Sequence, residues 1–442
     1  MTFPALSNTS KSDYNRSQNP MERAILVNVA TTKTEREEAE ESMAELAGLA
    51  AAAGAEVAGK VFQVRPRLNP RWLVGEGKVA EIARDVREAS ADLVIFDHNL
   101  NAAQQRNLED EVKAKVIDRT QLILDIFAQR ARTNEGKLQV ELAQLSYRLP
   151  RLRGKGLSLT QQGAGIGTRG PGEKKLEVDR RRITDRITKI KKEIDALEKR
   201  RSSQRESRRK SPVPTVSLVG YTSAGKSTLF NLLTKEQRYT SSNLFSTLDP
   251  LLRRVSFPDG AYFFLTDTVG FIKRLPVELV TSFRATLEEV GEADCICHIV
   301  DVASASSERQ LGAVESVLAD IGIADIPVVK VLNKIDLLPD GERTLLALRN
   351  AEPQVRTIAI SAKTGEGLPD LLRRLREVLF AAYKTYYIRV PREAREITDS
   401  LPRRSLVLRR REGDGFVEFK VMAEPAGIIN FLPYLEQGAE SW

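Results

Sequence analysis

Apolar positions recur along this chain in three rhythms, and each predicts a different kind of element. Between residues 22 and 119 they come in short runs. Ala24-Ile25-Leu26-Val27-Asn28-Val29, Val57 to Val64, Leu93-Val94-Ile95-Phe96-Asp97 and Val116-Ile117-Asp118 predict strands. Glu35 to Ala53, rich in Ala and Glu, and the stretch around Gln104 to Val112 predict amphipathic helices between them. Strands alternating with helices predict a small N-terminal α/β domain over 22–119 with a largely parallel sheet.

The second rhythm is helical. Leu138, Leu142, Leu145, Leu149 and Leu152 fall at spacings of 4, 3, 4 and 3, and Ile183, Ile187, Ile190, Ile194 and Leu197 repeat them. Two heptad stripes joined by a glycine-rich segment predict a helical hairpin, an antiparallel coiled coil, over 120–210. Pro150 is expected to end or kink the first helix near its tip. The joining segment, Gly154 to Gly172, holds seven glycines and two charges, Lys155 and Arg169. It cannot bury a core, so it reads either as a linker or as a probe that orders on contact with RNA.

Ser202 to Pro214 is polar and basic and carries two prolines, so it reads as a linker. The third rhythm follows. Val216 to Val219, Tyr262 to Thr266 and Cys295 to Val300 are buried-strand runs, predicting a doubly wound α/β domain over 211–382. From Tyr383 a small α+β domain (383–442) is expected, with strands at Tyr386–Val390, Ser405–Arg409 and Phe416–Val421 and a helix at Glu393–Ser400. The chain as a whole is α/β.

Four motifs sit at the ends of the strand-like runs in the third region. The first is Gly220-Tyr221-Thr222-Ser223-Ala224-Gly225-Lys226-Ser227-Thr228, between a strand and a helix start. This is the phosphate loop G-x-x-x-x-G-K-S, in which glycines let backbone N–H groups converge on a phosphate and the helix dipole adds positive potential. Lys226 would bridge the β- and γ-phosphates, and Ser227 would hold Mg²⁺. The second is Asp267-Thr268-Val269-Gly270. Asp267 is placed to hold the metal through a bridging water, and Gly270 to present its N–H to the γ-phosphate.

Asn333-Lys334-Ile335-Asp336 is the base reader. A carboxylate at Asp336 accepts from guanine N1–H and N2–H₂, a pair of donors that adenine lacks, so the nucleotide is GTP or GDP. Ser361-Ala362-Lys363 would bring a backbone N–H to guanine O6. Between the first helix and the next strand lies Phe245-Ser246-Thr247-Leu248-Asp249, the place of a mobile switch. Thr247 would complete the Mg²⁺ shell while the γ-phosphate is present. The catalytic set is therefore Lys226, Thr247 and Gly270. A glutamine that often follows the glycine of D-x-x-G is replaced by Phe271. An apolar side chain cannot polarise water, so hydrolysis is expected to need a partner.

Composition narrows the setting. A chain of 442 residues with 41% hydrophobic content should hold two to four domains. It has no apolar run of membrane-spanning length. Residues 1–21 are polar and read as a disordered tail rather than a signal peptide. Cys295 and Cys297 alternate on one strand and read as core packing, and so few cysteines fit a reducing cytoplasm. Net charge is +8, but residues 151–210 alone carry 20 Lys or Arg against 8 Asp or Glu. That density points to a polyanionic partner met by one region.

Together these residues resemble the HflX family of ribosome-associated GTPases, over nearly everything after residue 22. The stretches that carry the resemblance are Gly163 to Glu173, Gly220-Tyr221-Thr222, Thr247-Leu248-Asp249-Pro250, Asp267 to Ile272, and Phe96-Asp97 with Gln104-Gln105-Arg106-Asn107-Leu108. The resemblance implies a cytoplasmic GTPase that binds the large ribosomal subunit and its RNA, separates or rescues ribosomes under stress, and hydrolyses GTP faster on the ribosome. It implies that the hairpin loop reaches toward the peptidyl-transferase region. A monomer is expected. Ser223 departs from the family, which commonly has Asn there. In some related GTPases that Asn helps hold a monovalent cation, so the shorter Ser223 puts potassium dependence in question. Two other readings stay open: a ribosome-assembly GTPase, and an RNA-remodelling protein whose N-terminal domain acts while GTP gates it. Residues 22–150 contain no second phosphate loop, since Gly75-Glu76-Gly77-Lys78 lacks the spacing.

Overall fold

A computed structural model of the chain describes residues 21–32, 36–152, 171–209, 211–235, 251–267, 270, 290–320, 322–323, 326–349 and 357–436. The N-terminal tail, most of the glycine-rich segment and the switch around Thr247 lie outside the described residues. The chain divides into two compact units, 1–126 with 150–176 and 127–149 with 177–442.

The first unit is built on β1 (Arg23–Ala30), β2 (Glu56–Val64), β3 (Leu93–Phe96) and β4 (Lys115–Asp118), in the order β2-β1-β3-β4. All pairs are parallel, as expected. The four residues of β3 are all buried, which a strand in a covered parallel sheet requires. Helix α1 (Arg36–Ala53) joins β1 to β2, and α3 (Ala102–Val112) joins β3 to β4. Asn101 starts α3 with a capping box closed by Gln104. Helix α2 (Glu76–Glu88) was not among the predicted elements. It buries Val79, Ile82 and Val86, and Gly75 is its N-cap, so the Gly75-Glu76-Gly77-Lys78 stretch is a helix start. Asp97, just past β3, is buried and anchors α4 (Arg119–Arg130). Its Oδ1 accepts from Arg119 Nη1 at 2.7 Å and its Oδ2 from Ser42 Oγ at 2.6 Å, while Glu45 takes Arg119 Nη2 at 2.8 Å. A buried cation held this way needs such partners.

Helices α5 (Asn134–Leu152) and α6 (Pro171–Arg209) carry the two heptad stripes. Leu138 and Leu142 bury against Ile190 and Ile194, flanked by Leu145, Ile187 and Leu197. Arg186 makes a bidentate bridge to Glu141, both contacts at 2.7 Å. Pro150 lies inside α5, two residues before its last residue, Leu152. One expectation needs correction. The expected linker from Ser202 is helical as far as Arg209. Its Gln, Arg and Glu residues are good helix formers, and no proline occurs before Pro212.

The second sheet has β5 (Thr215–Gly220) near its centre, with β6 (Leu251–Ser256), β7 (Tyr262–Asp267), β8 (Cys295–Asp301), β9 (Val328–Asn333) and β10 (Thr357–Ala359) in the order β10-β9-β8-β5-β7-β6. Every pair is parallel except β6 with β7 at the edge. Cys295 and Cys297 are buried in the core of this sheet, as their spacing suggested. Helices α7 (Lys226–Thr234), α8 (Ser307–Asp320), α9 (Asp340–Arg349) and α10 (Leu368–Leu379) complete the described layers. Finally β11 (Lys384–Pro391), β12 (Leu406–Glu412) and β13 (Phe416–Ala423) form an antiparallel sheet in the order β11-β13-β12, with α11 (Arg395–Arg404) between the first two in sequence. Among the described residues no helix is long and apolar enough to cross a membrane.

Candidate nucleotide site

The strands of a parallel sheet point their carboxyl ends to one edge, and a doubly wound sheet binds its ligand there. β5, β7 and β9 end at Gly220, Asp267 and Asn333, so three of the four motifs share that edge. Gly225 caps α7 in the left-handed region at φ 100°. A Cβ there would lie 2.1 Å from Asn333 Nδ2, so the loop needs glycine both for its turn and for close approach. Ser223 also takes a left-handed φ, 61°. That conformation is uncommon for residues with a side chain and is enriched in Asn, the residue the family commonly has.

Lys226 is buried. Its ammonium donates to the carbonyls of Gly220 at 2.9 Å and Tyr221 at 2.8 Å. Burial pushes its pKa down to about 8, against the opposing pull of the Asp267 carboxylate. Thr222 is buried beside it. Gly270 closes against this loop: a Cβ on it would meet Thr222 Cγ2 at 2.9 Å and Lys226 Nζ at 3.0 Å. Thr268 and Val269 lie outside the described residues, as do Phe245 to Asp249.

Ser227 Oγ donates to Asp267 Oδ2 at 3.1 Å, and Asp267 is buried. A hydroxyl and a carboxylate together beside a phosphate loop form an oxygen donor set suited to a hard cation such as Mg²⁺. The third expected ligand, Thr247, is outside the described residues.

The base-reading motif is tied together by Asn333. Its Nδ2 donates to Ala224 O at 2.7 Å, and its Oδ1 accepts from Ala362 N at 2.9 Å. One buried amide thus pins the phosphate loop to the Ser361-Ala362-Lys363 segment. Asp336 is half-buried, and its Oδ1 accepts from Ser361 Oγ at 2.7 Å. Lys334 takes a left-handed φ of 70° and donates to Asp301 Oδ2 at 2.6 Å. Sequence reasoning did not single out Asp301. Its signal was present: it ends the run Cys295–Val300 as Asp267 ends its own strand.

Family models match the chain in three consecutive blocks. "GTP-binding GTPase N-terminal" covers residues 40–128, "GTP-binding GTPase Middle Region" covers 130–208, and "50S ribosome-binding GTPase" covers 215–334. The chain is 47% identical over 362 residues to GTPase HflX of Caldanaerobacter subterraneus subsp. tengcongensis, covering 81% of each chain. It is 47% identical over 340 residues to GTPase HflX of Escherichia coli K12, covering 77% of this chain and 79% of that one. A solved structure described as SsGBP in complex with GDP aligns over 81% of this chain and 98% of its own, at 26% identity and a TM-score of 0.48. With relatives this similar over most of its length, the chain belongs to the HflX family of GTPases.

Proposed function

We propose that this GTPase acts in the cytoplasm on the large ribosomal subunit, separating or rescuing ribosomes, and that the subunit stimulates its hydrolysis of GTP. The observation that carries the reading is the pairing, on one chain, of a domain matching the "50S ribosome-binding GTPase" family with a 39-residue helix, α6, in the most basic stretch of the sequence. Nucleic-acid phosphates are the natural counterpart of such a helix.

In this reading the residues divide the work as follows. The backbone from Tyr221 to Thr228 cradles the β-phosphate, and Lys226 leaves the carbonyls of Gly220 and Tyr221 to bridge the β- and γ-phosphates. Gly270 gives its N–H to the γ-phosphate, and its lack of a Cβ lets it lie against Thr222 and Lys226. Asp336 takes the two guanine donors, while Asn333 fixes the loops on either side of it. Ser227 and Thr247 would hold Mg²⁺ directly and Asp267 through water, and the bound ion would neutralise phosphate charge. Thr247 would let go after hydrolysis. Phe271, outside the described residues, has the sequence position of the water-orienting Gln of other GTPases, so the ribosome supplies that contact.

The test is turnover. The isolated protein should hydrolyse GTP slowly, and purified large subunits should raise kcat. Phe271→Ala should keep most of that stimulated rate, since Phe271 orients no water. A fast isolated enzyme indifferent to large subunits would contradict the reading.

A further inference from the structure

Along β13 the side chains alternate between two faces. Val417, Phe419 and Val421 are buried in a core with Ile388, Val390, Leu401 and Phe431. The other face is covered at one end, where Met422 and Leu406 join the core of the second sheet. Its far end is open. There Phe416 is 37% exposed, Arg389 and Arg409 are exposed, and Tyr387, Glu418 and Lys420 are half-buried.

The register sets these residues in rows. Tyr387 pairs with Lys420 and Arg389 with Glu418 across β11 and β13, and Arg409 pairs with Lys420 across β12 and β13. Arg389 lies 4.2 Å above the Phe416 ring, and Lys420 Nζ lies 5.5 Å from the Tyr387 ring. Arg409 and Lys420 are like charges directly opposite each other, an arrangement that costs stability. Neither has a salt-bridge partner among the described residues. Glu418 and Glu436 lie 3.7 and 3.2 Å from Arg389.

We propose that this face is an RNA-binding platform. Tyr387 and Phe416 stack unpaired bases, and Arg389, Lys420 and Arg409 take the phosphates. Two ring–cation units on an open sheet supply the two contacts that single-stranded RNA offers, a π-face on every base and a charge on every linkage. An acidic protein would meet the cations but leave the rings without a counterpart. The platform rests on the ribosome reading only in taking ribosomal RNA loops as the natural ligand.

The experiment uses the full-length protein and a short, unstructured pyrimidine RNA. Ultraviolet crosslinks are mapped by mass spectrometry, and affinity is measured by fluorescence anisotropy over a salt series. The expected crosslinks fall at Tyr387 or Phe416. Y387A/F416A should weaken binding about fivefold to a hundredfold for each base that is no longer stacked. Y387F should bind as the parent does, and the basal GTPase rate should be unchanged in both. R409Q/K420Q should lower the salt slope by roughly 0.7 for each phosphate that is no longer neutralised. Crosslinks confined to α6, or a Y387A/F416A protein that binds RNA like the parent, would overturn the proposal. So would a face that binds polyglutamate but gives no RNA crosslink, which would mark a site for acidic protein. Pelleting with large subunits separates the two readings. If the parent pellets with large subunits but the variants crosslink RNA normally, the platform is wrong and the ribosome reading stands. If the parent crosslinks at this face but never pellets, the platform stands without the ribosome.

Discussion

A methyl group added at Gly270 would press on Thr222 Cγ2 at 2.9 Å and on Lys226 Nζ at 3.0 Å. Both neighbours belong to the phosphate loop, so Gly270→Ala should act on the γ-phosphate. It is expected to weaken a non-hydrolysable GTP analogue by at least about tenfold, the order of one lost hydrogen bond to a charged group. GDP should be affected far less, and a fluorescent-nucleotide titration compares the two. Asp336→Asn tests the base in the same way. Losing a charged acceptor should weaken guanine nucleotides by roughly 1–3 kcal/mol. It should also shift preference toward xanthine nucleotides, whose C2 carbonyl accepts from an amide. Unchanged GTP affinity would remove Asp336 from the base site. These residues were legible in the sequence because phosphate and guanine chemistry demand particular groups at particular strand ends. The bonds that Asn333 makes to Ala224 and Ala362 were not legible. They depend on which loops meet in space, and nothing in the spacing of N-K-x-D says so. The Asp301–Lys334 pair was hidden for the same reason.

At the scale of elements, strand β8 carries a buried histidine with consequences for stability. Burial pushes the His298 pKa down to about 4 from 6.5, with Glu315 pulling the other way. The folded state therefore holds the ring neutral while the unfolded chain, between pH 6.5 and 4, takes up a proton. Stability from this group is complete above pH 6.5 and is lost as pH falls toward 4, by up to ~3 kcal/mol over the whole shift. Urea unfolding from pH 7 to 4.5 should show His298→Gln losing less stability than the parent. Equal slopes would mean that His298 does not titrate on unfolding. Elements with strong periodicity were read well from sequence. The stripes of α5 and α6 pack as their heptads demand, because a 4-3 repeat has one apolar face. Helix α2 was missed because its three buried residues, Val79, Ile82 and Val86, are scattered among charges. The far end of α6 was misread because a charged run with no apolar stripe looks like a linker. There the intrinsic preference of Arg, Gln and Glu for helix decides the outcome.

The whole molecule combines a GTPase domain, a basic helical hairpin and two smaller sheets. Its charge is uneven. Residues 151–210 hold an excess of 12 positive charges within a total of +8, so the rest of the chain is mildly acidic. That imbalance was visible before any fold was known and pointed to a polyanion, but charge alone cannot name which one. The ribosome enters through the family, not through the residues. All the nucleotide motifs lie after residue 219, so the segment joining α5 to α6 can be altered without touching them. Deleting Gly163 to Gly172 should leave GTP affinity and slow intrinsic hydrolysis nearly intact. The measurement that tests the central claim most directly is sedimentation of intact ribosomes with the parent or the deleted protein, in the presence of GTP, a non-hydrolysable analogue or GDP. With either triphosphate, the parent should convert intact ribosomes to subunits and travel with the large one, while GDP or the deletion should leave the ribosomes whole. Intact ribosomes unchanged by the parent and GTP, or split equally well by the deleted protein, would contradict the account.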